Sequence, residues 1–143
     1  MTQQETSGTV SRRRRWLAVV AAVAAAVAVW AVATFGLGVD VREPQRTGQA
    51  RDLGAAKVVG VTAVVSLAGW ALLAVLERFS ARARRWWAAI AVVVAVASLV
   101  APLTAAGVTG SSRVVLAGLH LIVGAVLIPL LYRSSPNRKE QAR

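Results

Sequence analysis

The sequence predicts an all-α protein: an integral membrane four-helix up-down bundle with both termini on the cytoplasmic side. Three observations carry this. Four stretches, 16–39, 58–76, 86–112 and 114–132, contain no Asp, Glu, Lys or Arg. All seventeen Lys and Arg lie between or outside them. Apolar residues make up 57% of the chain, against about 45–50% in a soluble domain, and the mean hydropathy is +0.60.

The segment 1–15 reads as a disordered tail that ends in the basic run Arg12 to Arg15. A first span follows over about 16–38. At about 1.5 Å per residue a block of this length outreaches a hydrocarbon core of about 30 Å. Gly36 and Gly38 mark its end. The same block has the outline of a signal peptide, with a basic start and Ala31-Val32-Ala33 as a cleavage-like triplet. Its apolar run exceeds the roughly 7–15 residues of a signal core, and an A-x-A match is nearly unavoidable in so Ala-rich a segment. The expectation is therefore a retained span.

The stretch 40–56 mixes Asp40, Arg42, Glu43, Arg46, Arg51 and Asp52 with Pro44 and reads as a solvent-exposed loop. A second span is expected over 57–76, closed by Glu77 and Arg78, and Arg82, Arg84 and Arg85 complete a short basic connection. The third is expected over 86–106, followed by a tight turn through Gly107, Thr109, Gly110, Ser111 and Ser112. The fourth is expected over 114–132, and a basic cytoplasmic tail over 133–143, where Pro136 opposes further helix. The membrane domain is thus 16–132. The runs are too long and too evenly apolar for strands, and no alternating polar face suits a barrel.

Charge sets the orientation. Twelve Lys and Arg fall in the N-terminal tail, the second connection and the C-terminal tail. Five (Arg42, Arg46, Arg51, Lys57 and Arg113) fall on the other side. The positive-inside rule places the twelve in the cytoplasm, which predicts a multi-pass protein of the bacterial plasma membrane. Trp16, Trp86, Trp87 and Tyr132 fall at the interface levels this implies, whereas Trp30 and Trp70 fall inside spans as packing residues.

Partners follow from the same pattern: the lipid bilayer, with anionic headgroups at the cytoplasmic face, and either a second copy or another membrane protein. A net charge of +11 raises nucleic acid, but almost no sequence is left to build a basic soluble domain. Without cysteine there is no disulfide, thiol chemistry or Cys-based metal site. No cofactor motif, catalytic set or intramembrane acid pair is visible, so a non-enzymatic protein without cofactor is expected.

The polar residues within or beside the spans are few. His120, the single histidine, stands near mid-membrane in the fourth span. Ser66 and Ser98 lie at comparable depth and are candidate hydrogen-bond partners. A neutral histidine bridging two helices is the expectation, with a proton-relay or ligand site as the sharper alternative. Glu77 is expected in an ion pair with Arg78, Arg82 or a basic residue of a neighbouring helix. Pro102 and Pro129 deprive the carbonyls of Ser98 and Ala125 of their donors and predict kinks. Ala18, Ala22 and Ala26, with Ala91 and Ala95 and with Gly69, Gly118 and Gly124, have spacings that let helices approach closely.

These residues also carry a resemblance. The segments 36–41 (GLGVDV), 67–78 (LAGWALLAVLER), Pro102, His120-Leu121 and Leu127-Ile128-Pro129 resemble a family of small actinobacterial four-span proteins, domain of unknown function 6069. The resemblance covers roughly 15–132. It implies the same four-helix architecture and directs attention to Asp40, Trp70, Glu77 and His120. It implies no activity. The functional expectation is a structural or accessory membrane subunit, the alternative being a small transporter or channel component with a polar site around His120.

Overall fold

The computed structural model describes residues 2–44, 50–104 and 108–134. Helix α1 runs Thr2–Ala31 and continues as a wider π-helical turn, Val32–Gly36. Two three-residue strands follow, β1 Arg42–Pro44 and β2 Ala50–Asp52. Then come α2 (Ala55–Phe79), α3 (Ala83–Ser98), the short α4 (Val100–Thr104) and α5 (Gly110–Ser134). Four segments are long and apolar enough to cross a membrane: Ser11–Gly36, Ala55–Phe79, Ala83–Thr104 and Gly110–Ser134.

The first span ends at Gly36, two residues short of its expected limit. The second and fourth spans outlast their sequence-based limits at both ends, and the first and third begin a few residues before theirs, because hydropathy marks the part that needs lipid while the helix continues into polar flanks. The N-terminal segment shows this most strongly. Expected as a disordered tail over 1–15, it is helical from Thr2. Gln, Glu and Arg are good helix formers, and extending an existing helix incurs no nucleation cost. The expected tail over 133–143 lies outside the described residues from 135 onward, as do Ala105 and Ala106 at the end of the third expected span.

The first span packs against the second and fourth, and the third against those same two. The four therefore form a ring in chain order, with the first and third on opposite corners. Lipid offers no hydrophobic drive for such contacts, so close packing must supply it. The α1 stripe that the sequence singles out does this: Ala18, Ala22 and Ala26 are all at most 1% exposed. Around Ala18 and Ala22 cluster Leu73, Trp87, Leu127 and Leu131. Around Ala26 and Ala33 cluster Val41, Val58, Val108, Leu116 and Leu119. A Cβ built on Gly69 would meet Leu127 at 3.7 Å, and one on Gly124 would meet Ala95 Cβ at 3.5 Å. Gly118, expected as a third close-approach point, faces open space instead.

The first span ends on bonds wider than an α-helix makes: Leu37 N–H to Val32 O and Val39 N–H to Ala33 O, both 3.0 Å. Gly38 then takes φ +63°, a left-handed conformation that glycine adopts without penalty, and the chain turns into the loop. There the two strands pair antiparallel, with Arg42 opposite Asp52. This hairpin, read from sequence as plain loop, docks on α5.

The prolines behave differently from one another. Pro129 lies inside an unbroken α5. Pro102 has no N–H to offer the Ser98 carbonyl, and the helix breaks at Leu99, between α3 and α4. The expected turn residues Gly110, Ser111 and Ser112 form the first turn of α5 instead. Thr109 caps it: its hydroxyl accepts from Ser112 N–H at 3.3 Å and its carbonyl from Arg113 N–H at 3.0 Å.

Candidate functional site

At one end of the bundle, polar contacts join every neighbouring pair of spans. Arg15 is buried at the start of the first span, and its Nη2 donates to both Glu77 oxygens, at 2.7 and 2.8 Å. Trp16 stands edge-on to Trp70, ring centroids 5.3 Å apart. These contacts tie the first span to the second. Trp87 is 1% exposed, and its Nε1–H donates to Gly69 O at 2.8 Å, tying second to third. The Arg84 guanidinium lies 4.7 Å from the centre of the Tyr132 ring, tying third to fourth. Ser11 Oγ donates to Ser134 O at 3.1 Å, which closes the ring from fourth to first.

Glu77 thus pairs with a neighbouring helix, one of the three partners expected for it. Arg15 comes from the run that sequence assigns to the tail. Arg12, Arg13 and Arg14 of that run are exposed, as are Arg78, Arg82, Arg85 and Arg133 around the same end. Trp16, Trp86 and Phe79 are exposed there too. Trp87, expected in the interfacial belt beside Trp86, turns inward instead. Adjacent residues on a helix point about 100° apart, so only one of the pair can face lipid.

The opposite end is held by a smaller knot between the first span, the hairpin and the fourth. Trp30 Nε1–H donates to Leu53 O at 2.7 Å, and Leu53 N–H to Val41 O at 2.8 Å. Ser112, fully buried, donates from Oγ to Asp40 O at 2.9 Å and accepts from Arg42 N–H at 3.3 Å. Thr109 Oγ1 also donates to Ser112 Oγ, at 2.9 Å. Asp40 therefore contributes through its backbone carbonyl. The exposed Arg42–Asp52 pair at 3.4 Å contributes little to stability. The sequence reading missed Ser112; its signal was a Thr-x-x-Ser spacing directly ahead of an apolar run.

The expected convergence of His120, Ser66 and Ser98 does not form as side-chain hydrogen bonds. His120 is exposed, with Nδ1 2.7 Å from Leu116 O on its own helix. Ser98 Oγ donates to Ala95 O at 2.7 Å, again on its own helix. Ser66 is fully buried, and its Oγ has no partner among the described residues. It stands eleven residues, about three turns, before Glu77 on α2, hence on the face turned to the first span. His120 and Ser98 do share a level. Gly124 meets Ala95 across the antiparallel third and fourth spans, and one turn further out on each are His120 and Ser98. Among the described residues no group of three His, Cys, Asp or Glu could hold a metal ion.

The family model described as "Family of unknown function (DUF6069)" matches residues 6–137, nearly the whole chain. The chain belongs to this family. No curated protein and no solved structure matches it. The DUF6069 match spans all four helices, so the brace at the arginine end, the hairpin knot and the His120 level all lie within the family domain.

Proposed function

We propose that this DUF6069 protein is a non-enzymatic structural or accessory subunit of the bacterial plasma membrane, with both termini cytoplasmic and its arginine end against anionic headgroups. The observation that carries the reading is the closed ring of interhelical ties at the arginine end. Such bracing fixes the relative position of four helices, which is the property an accessory subunit contributes. The arginines around it are the feature the positive-inside rule selects for the cytoplasmic face, and clustered basic residues attract anionic lipid at about 1 kcal/mol each near the surface.

The test is cross-linking in native membranes followed by mass determination. A subunit gives one defined cross-linked species of fixed stoichiometry. His120→Ala leaves that species in place, because the histidine stands apart from the brace. A transporter or channel component is the second reading, favoured by the exposed imidazole at the level of Ser98. It replaces the first if the protein stays monomeric and reconstituted vesicles show a proton-coupled flux that His120→Ala abolishes.

A further inference from the structure

The Ser98–His120 level has a chemical asymmetry that points to a ligand. His120 Nδ1 sits 2.7 Å from the Leu116 carbonyl, an acceptor, so the neutral ring carries its proton on Nδ1 and leaves a lone pair on Nε2. The ring is exposed, and Nε2 meets no donor among the described residues. The Ser98 hydroxyl proton is committed to Ala95 O, so its oxygen has only acceptor capacity left. The Ser98 carbonyl faces a missing donor, because four residues on stands Pro102. At this level the two spans thus present three acceptor atoms and no free donor, in a region where lipid supplies no hydrogen bond.

We propose that this level of the third–fourth span seam is a binding site for a neutral, membrane-dissolved hydroxyl compound: an apolar alcohol or phenol that donates to His120 Nε2. No Asp, Glu, Lys or Arg stands on either span at this level, which gives ions no advantage. A ligand arriving within the bilayer also fits the exposed apolar side chains beside the seam, Leu121 on the fourth span and Val92 and Val96 on the third. A carboxylate brings only acceptors and finds nothing to bond. The inference stands independently of the accessory-subunit reading, since it concerns a face away from the brace.

One histidine in the chain makes the test direct. The protein, labelled with ¹⁵N at histidine, is placed in lipid bilayers, and its ring nitrogens are followed by solid-state NMR. Octylphenol is titrated as the probe, and octylanisole, of the same shape without the hydroxyl proton, is the control. The expected result is a protonated Nδ1 throughout and a saturable shift of Nε2 with octylphenol alone. Ser98→Ala together with Pro102→Ala removes one acceptor and occupies another but leaves Nε2 untouched, so the saturable octylphenol shift of Nε2 should persist in that variant. The proposal fails if Nε2 carries the proton, if both compounds shift it alike, or if neither does. The wild-type titration decides the matter even if the double variant does not fold.

Discussion

Arg15 and Glu77 show why single residues can decide the stability of such a small bundle. The Arg15 side chain is 9% exposed and that of Glu77 29%, so the pair is desolvated on one side and reaches the interface on the other. Its value lies less in attraction than in the cost of leaving one partner alone. Glu77→Gln keeps the shape and removes the charge, and should destabilise the bundle by about 1–3 kcal/mol. Replacing both residues by Leu should cost less than the two single changes added together. Thermal unfolding of the wild type, Arg15→Leu, Glu77→Leu and the double variant in one detergent checks this, and strict additivity would contradict an interhelical pair. The sequence showed that Glu77 needs a cation. It could not show which one, because the answer depends on how far two helices are rotated about their own axes. The same rotation hid the inward turn of Trp87 and placed Ser66 on a face away from His120.

Elements were more legible than residues. All four spans follow from uninterrupted apolar length, a signal that only a helix can satisfy inside lipid. The Ala18, Ala22 and Ala26 stripe was readable as a packing face from spacing alone. The break at Pro102 was readable as well, because a missing N–H is a covalent property. Pro129 carries the same property and leaves its helix unbroken, so a proline marks a weakened bond rather than a guaranteed break. The hairpin was not legible: its strands are three residues long, and partners outside it, Ser112 and Trp30, hold it in place. Gly124 provides the test at this scale. Its position meets Ala95 at 3.5 Å, so Gly124→Leu must push the third span from the fourth. A loss of about 1–3 kcal/mol is expected, whereas Gly118→Leu, with open space around it, should be nearly neutral. Equal losses at the two glycines would contradict the packing described.

For the whole molecule, the two ends differ in kind. One is braced around the full ring of four spans and set with exposed arginines; at the other, a hydrogen-bonded knot joins the first span, the hairpin and the fourth. Charge counting anticipated the arginine end, because it depends on composition near helix ends and not on three-dimensional detail. The bracing was invisible to it. The central claim is that this braced end faces the cytoplasm, and the absence of native cysteine makes it measurable. Single cysteines are placed at two exposed positions, Ala81→Cys at the arginine end and Arg51→Cys in the hairpin, and intact bacterial cells are treated with a membrane-impermeant maleimide. The account predicts that Arg51→Cys is labelled at once and Ala81→Cys only after the membrane is opened. Labelling of Ala81→Cys in intact cells, with Arg51→Cys protected or labelled equally, would contradict it.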